Sequence, residues 1–223
     1  MAKPAAKSHD AAMDDAAFDT ALIAAALQLA AEQGWRRVSV VAAARAAGLP
    51  LARARERFPG RAAILLRLGR RADQAALTEA PSEGPVRDRL FDLLMRRIDA
   101  LQVHRAGVLA LLRAVPAEPP TALLLALATR RSMRWMLDAA GIPTRGIHGE
   151  LRVKGLVAVW LWTIRAWRVD DNEDLAATMA ALDAALRRAE QAAGWLGWRA
   201  PEMEAPPEAV EESPPEGLPE TPA

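Results

Sequence analysis

Apolar positions recur along this chain at three- and four-residue steps, the period of a helix with one buried face. From Phe18 to Gln33 the row runs through Leu22, Ile23, Leu27, Leu29 and Ala30, and Gly34 stops it. Val38 to Ala47 reads as a shorter helix ended by Gly48. Pro50, suited to a first helical turn, opens a third that runs to about Phe58. Pro59-Gly60 breaks the chain, Arg61 to Leu77 restarts it, and Ser82-Glu83-Gly84-Pro85 reads as a linker. Val86 to about Val115 then predicts one long helix on Leu90, Leu93, Leu94, Ile98, Leu101 and Val108, with a bend near Gly107, before Pro116, Pro119 and Pro120 interrupt. Thr121 to Ala140 follows, closed by Gly141 and Pro143. The next helix opens at Thr144 or Gly146 and ends at Trp167. Asp170-Asp171-Asn172 makes a turn and caps a last helix with Leu175, Met179, Leu182 and Leu186 at helical spacing. Strand formers are scarce while Ala, Leu and Arg abound, so the expected fold class is all-α.

Composition adds boundaries to this picture. The 223 residues are 52 % apolar, enough for a sizeable core, and the absence of Cys excludes disulfides, thiolate catalysis and Cys-based metal sites. The near-balance of 29 bases and 28 acids hides an asymmetry. Seven Glu and no base lie beyond Pro201, which leaves the first 200 residues at 29 against 21, a formal charge of about +8. The expected organisation is a disordered start over 1–15, a three-helix module over 16–80, a helical body over 86–198 and a disordered, acidic, Pro-rich tail over 199–223. The longest uncharged runs, Thr20 to Ala31 and Gly155 to Ile164, fall short of the ~20 residues that span a bilayer. The start has no signal-peptide core. These features predict a soluble, cytoplasmic protein that can still lie on a membrane surface.

Catalytic signatures are missing. His9, His104 and His148 are widely spaced, and no Gly-rich phosphate loop or Gly-x-Ser-x-Gly context occurs. Asp170, Asp171, Glu173 and Asp174 suit helix capping better than a cation site. No catalytic residue, metal ligand or cofactor is therefore expected, and the chain does not read as an enzyme.

The first three helices, with a Gly turn between the second and third, form a helix-turn-helix. Ten Arg lie between Trp35 and Leu77 against only Glu56 and Asp73. Arg53, Arg57 and Arg61 fall at i, i+4 and i+8 and, with Arg55, are the candidate DNA contacts through phosphate attraction. Asn, Gln, Ser and Thr, the other usual base-edge readers, are absent from Leu49 to Phe58. The alternatives are a solvated basic face or attraction to anionic lipid heads. The segment from Ala43 to Arg61 resembles the DNA-binding segment of TetR-like regulators. Ala47, Gly48 and Phe58 match, Arg61 stands for the usual Lys, Ala54-Arg55 replaces a Leu-Tyr pair, and Pro50 replaces Ser or Thr.

In the body, Val157 to Ile164 is apolar nearly all round, as in a helix buried on every side. Trp160, Ile164 and Trp167 share one face and Trp162 points elsewhere. Leu123 to Leu127, Trp135, Met136 and Leu137 add bulk from the preceding helix. Three readings stand: an ordinary core, a dimer seam, or a pocket for an apolar ligand. The stretch from about Arg87 to Arg188 also resembles the lipid-binding accessory protein of ubiquinone biosynthesis, the ninth member of the Coq set, a family with a TetR-like fold. The matching pieces are the Pro116 to Pro120 break, Arg134-Trp135-Met136-Leu137, Leu151-Arg152-Val153-Lys154-Gly155-Leu156, the Thr163-to-Trp167 helix end, and Asp170 to Leu175 followed by Thr178, Leu182-Asp183 and Leu186.

That resemblance implies a non-catalytic factor that holds a lipid or isoprenoid quinone and presents it to the demethoxyubiquinone hydroxylase at the inner membrane. It implies Leu123, Leu127, Trp135, Val159, Trp160, Ile164 and Trp167 as lipid contacts. Ala128, Arg131, Ser132 and Trp135 would form the partner surface, with Ser132 where the family often has an acid. Trp195, Leu196 and Trp198, after the last helix, are candidate membrane contacts or a clamp folded back on the body. TetR-like folds usually pair, so a homodimer is expected. The accessory factor is the leading expectation, and a TetR-type ligand-responsive transcriptional regulator is the alternative.

Overall fold

The computed structural model describes residues 13–78, 80 and 83–195. Among them every regular element is helical. The α-helices are α1 (Asp15–Gln33), α2 (Val40–Ala46), α3 (Leu51–Arg57), α4 (Arg61–Leu77), α5 (Val86–Gln102), α6 (Arg105–Ala114), α7 (Pro119–Ala139), α8 (Gly146–Trp167) and α9 (Ala176–Trp195). Short 3-10 turns at Trp35–Arg37 and Val115–Ala117 join α1 to α2 and α6 to α7.

Local chemistry sets most of the ends. Asp14 caps α1 by accepting from the Ala17 amide at 2.6 Å, and Gly34 leaves it at φ 84°, a left-handed conformation that suits glycine. Ser39 caps α2 through the Ala42 amide at 3.0 Å. Before α9 the Asp170 carboxylate accepts from Asn172 and from both the amide and hydroxyl of Thr178, the latter two at 2.7 Å. The Thr178 hydroxyl, first among these donors, holds the buried Asp170 carboxyl below its ordinary range.

Among the described residues one hydrophobic cluster runs from Phe18, Leu22, Trp35 and Phe58 to Leu93, Ile98, Met133, Trp160 and Leu182. Each fully buried large apolar side chain in it contributes ~1.5–3 kcal/mol over leaving that side chain in water. The module of α1–α4 is therefore welded to the body: α1 lies on α6, and α4 lies on α5 and α7. Helix α8 pairs with α9 on one side and α7 on the other.

The long helix expected from Val86 to Val115 is two helices. The break falls at Val103–His104, where neither Gly nor Pro marks it. Gly107 lies inside α6 and does a different job. A Cβ there would stand 2.3 Å from the carbonyl oxygen of Leu27, so the missing side chain lets α6 cross α1 at backbone contact.

Candidate functional site

The helix-turn-helix is built from small residues. Ala43, Ala44, Leu49, Ala54 and Phe58 are buried beneath it, and Gly48 turns the chain at φ 64° between α2 and α3. The Leu49 amide donates to the Ala44 carbonyl at 2.8 Å, which closes the turn. Packing on Ala54 and Phe58 directs Leu51, Ala52, Arg55 and Glu56 of α3 outward.

The arginines divide into two sets. Arg53, Arg57 and Arg61, expected on one solvent-facing basic face, turn back into the protein. Arg53 donates to Asp15 at 2.7 Å and to the Met13 carbonyl at 2.9 Å, and lies 4.5 Å from the centre of the Phe18 ring. Arg57 makes a two-pronged contact with Asp19, at 2.7 and 3.0 Å, and also pairs with Asp15. Its guanidinium pKa is raised, chiefly by the hydrogen bond to Asp19. Arg67 joins the same Asp19 and donates to the Arg57 carbonyl at 2.9 Å. Arg61 donates to the Trp35 and Arg36 carbonyls and to Glu118 at 3.1–3.2 Å. For Arg53, Arg57 and Arg67 the cause is Asp15 and Asp19 of α1, and for Arg61 it is Glu118; opposite charge at contact outweighs solvation of the guanidinium.

The second set is exposed. Arg36, Arg37, Arg45, Arg55 and Arg70 face solvent. Arg55 keeps one contact, to the Pro59 carbonyl at 2.7 Å, and Arg36 lies 3.9 Å from Glu118. This set comes from the 3-10 turn, α2, α3 and α4, and Glu56 is the exposed acid among them on α3. The sequence pattern did not separate the two sets, because both have the same residue type and the deciding carboxylates lie on other helices.

In the body, Val159, Trp160 and Trp167 are buried and Ile164 is half-buried. Leu123 and Leu127, expected beside them, are 62 % and 57 % exposed, and Trp135 is 57 % exposed. With Arg131 these three form the outward row of α7 at four-residue steps. The seven residues expected to contact lipid are thus not gathered on one wall. Ser132, one position off that row, points inward and is buried, so it is not on the partner surface with Arg131 and Trp135; Ala128 is half-buried. The side chains of Trp195, Leu196 and Trp198 lie outside the described residues.

The interior beside Trp160 holds charge. Arg97 of α5 is 5 % exposed, and its guanidinium lies 4.5 Å from the Trp160 ring centre. Its Nε is 2.8 Å from Oδ1 of Asp73 on α4. Arg97 also donates to Ser132 Oγ at 3.3 Å, and Ser132 donates to Asp73 at 2.6 Å. Burial pushes the Arg97 pKa down, and Asp73 opposes that shift. Trp167 donates to Gln102 at 2.7 Å, and the Arg105 guanidinium lies over its ring. Two surface grooves, of about 460 and 760 Å3, lie elsewhere, between α5 and α9 and between α7 and α8. Sequence reasoning missed this network and Glu118, since no motif marks a lone acid that meets its base from another helix.

No protein-family profile and no curated protein sequence matches the chain. Solved structures do. A TetR transcriptional regulator from Nitrosomonas europaea is 23 % identical over 78 % of this chain and 98 % of its own, with a TM-score of 0.64. A TetR-family regulator from Streptomyces coelicolor is 22 % identical over 83 % and 87 %, with a TM-score of 0.57. A TetR regulator from a Rhodococcus species is 22 % identical over 76 % and 93 %, with a TM-score of 0.54. The nine described helices, with the helix-turn-helix at α2–α3, therefore have the TetR-like fold.

Proposed function

We propose that this chain is a dimeric DNA-binding regulator of TetR type whose affinity for DNA responds to a small ligand. The observation that carries the reading is the division of the arginines. Arg53, Arg57, Arg61 and Arg67 brace the helix-turn-helix against α1 and the body, while Arg36, Arg37, Arg45 and Arg55 stand outward around it. In this reading Arg55 reads a guanine edge, exposed Leu51 and Ala52 meet thymine methyl groups, and the flanking arginines hold phosphates. The test is selection of genomic duplex fragments by the purified chain. A palindromic segment bound at least ~10³-fold more tightly than shuffled sequence is expected. Failure to enrich any segment removes the proposal.

The dimer is part of the same reading. The outer face of α8 carries Gly155, Ala158, Leu161 and Trp162, and α9 beside it presents Ala177 and Ala180. Leu161 and Trp162 are more than half exposed. Two copies packing α8 and α9 against each other would make an isologous four-helix seam. Trp162→Glu is expected to shift the chain from dimer to monomer in sedimentation at micromolar concentration, with helix content unchanged. A variant that sediments with the wild type counts against this seam.

One observation favours a second reading, the accessory factor of ubiquinone biosynthesis: the outward row Leu123, Leu127 and Trp135 on α7. A lipid, or the hydroxylase partner that the resemblance implies, would cover such a row, and the protein would then sit peripherally on the inner membrane. Among the described residues no single helix is long and apolar enough to cross a membrane. Native mass spectrometry after gentle purification checks it. Co-purified quinone or isoprenoid lipid is expected on this reading, and a clean ligand-free mass in repeated preparations opposes it.

A further inference from the structure

The chain continues for 28 residues beyond Trp195, the last residue of α9. That extension carries seven Glu, no Lys and a single Arg, Arg199, which precedes all of them. It also holds a few apolar side chains, Met203, Val210 and Leu218 among them. Where it leaves the body is fixed by α9, which runs back along α8. Arg188 lies over the Trp162 ring at 5.9 Å, and Arg87 at the start of α5 lies 3.9 Å from Glu190. Seven further residues of helix advance about 10 Å, at 1.5 Å each, toward the start of α8. The extension therefore leaves beside the first half of α8, on its α9 side.

Lys154 is on the rim of the larger groove, about 760 Å3, between the end of α7 and the start of α8. The acids of that groove already have partners. Glu150 is paired with Arg130 and Arg134, which hold its carboxyl below the usual range, and Asp138 accepts from the Thr144 hydroxyl at 2.8 Å. Arg145 and Lys154 have no acidic partner among the described residues. Between them lie Ile147, 80 % exposed, and Leu151. The groove thus offers two cations without an ion-pair partner around an apolar strip, with Asp138 the one carboxylate there held only by a hydroxyl. The acidic segment starts on the α9 side of α8, and residues 196–201, at ~3.3 Å each when extended, are long enough to carry it round that helix to the groove.

We propose that the acidic segment 202–220 docks in this groove of its own chain, with carboxylates against Arg145 and Lys154 and apolar side chains against Ile147 and Leu151. Exposed ion pairs contribute only ~0.2–1 kcal/mol each, too little to hold a separate peptide. A short tether supplies an effective concentration of about millimolar, which makes several such contacts sufficient. The docked state is salt-sensitive, since exposed charges at about 0.5 M salt are screened within ~4–5 Å. An anionic lipid surface would meet the same two cations and is the competing occupant.

The chain has three lysines, at 3, 7 and 154, so coupling of Lys154 to a carboxylate is read directly by peptide mass spectrometry. Treatment of the full-length protein with a zero-length carbodiimide is expected to join Lys154 to a Glu between 202 and 220, in a product that migrates as a single chain. Arg145→Glu, which places a like charge beside the segment, is expected to lower that yield roughly tenfold, as is about 0.5 M salt. Truncation after Ala200 is expected to raise acetylation of Lys154 about threefold relative to Lys7, by removing the cover. Three results overturn the proposal. One is no coupling of Lys154 to 202–220, with equal Lys154 acetylation with and without the segment. Another is coupling found only between chains. The last is protection of Lys154 that requires added anionic vesicles, which assigns the groove to a lipid surface.

Discussion

Asp73→Asn is expected to destabilise the protein by about 3–5 kcal/mol, the effect of removing one partner from a buried ion pair. Asp73 is the carboxylate that faces the Arg97 guanidinium, and Arg97 is enclosed by α4, α5, α7 and α8. With the negative charge gone, that cation faces only neutral groups, the new amide, the Ser132 hydroxyl and the face of the Trp160 ring. Urea unfolding followed by circular dichroism measures the loss. The double variant Asp73→Asn/Arg97→Met is expected to recover most of it, because a neutral side chain of similar length needs no counter-charge. A single variant that unfolds with the wild type would show that Arg97 does not depend on Asp73. The pair also matters for function, since Asp73 lies on α4, the helix that continues from the helix-turn-helix into the body. On the proposed reading, a ligand that shifts α5 or α8 would reach the DNA-binding helices through this contact.

The second large effect is at Gly107. Gly107→Ala is expected to cost about 2–3 kcal/mol, near the upper end for overpacking, because the new methyl group meets backbone rather than a side chain that can turn away. Leu27 lies with its carbonyl oxygen 2.3 Å and its carbonyl carbon 2.7 Å from the position of that methyl, so α1 and α6 must separate. Gly69 of α4 provides the contrast, since nothing lies within 4 Å of a Cβ built there. Gly69→Ala is expected to stabilise the protein by roughly 0.5–1 kcal/mol through helix propensity alone. Equal unfolding midpoints for the two variants would contradict the close crossing of α1 and α6.

Punctuation made the helices legible in the sequence. Gly34, Gly48 and Gly141 all have positive φ, and each stands where the apolar periodicity stops. The break between α5 and α6 carries no such mark, so the pattern ran through it and gave its bend to Gly107, whose role is packing against another helix. Helical phase decides the Trp-rich body. Met136 and Leu137 are buried while the adjacent Trp135 is exposed, a distinction that apolar composition cannot make. The arginines show the deeper limit. Whether a guanidinium faces DNA or a carboxylate depends on residues such as Asp19 and Glu118, which lie 38 and 57 positions from the arginines they hold. Side-chain contacts between elements distant in sequence, Asp19 of α1 with Arg57 of α3 and Glu118 at the start of α7 with Arg61 of α4, bring them together.

If the exposed arginines are the DNA-reading surface and the braced ones are structural, their removal must have different consequences. The decisive measurement is the affinity of wild type and of Arg55→Ala for the genomic segment that the chain enriches, each against shuffled sequence. Loss of Arg55 is expected to cost about 1–3 kcal/mol of discrimination, a drop of about 5- to 150-fold on the enriched segment, with little change on shuffled DNA. An enriched segment bound equally by both proteins, or no preference of the wild type for any segment, would contradict the account.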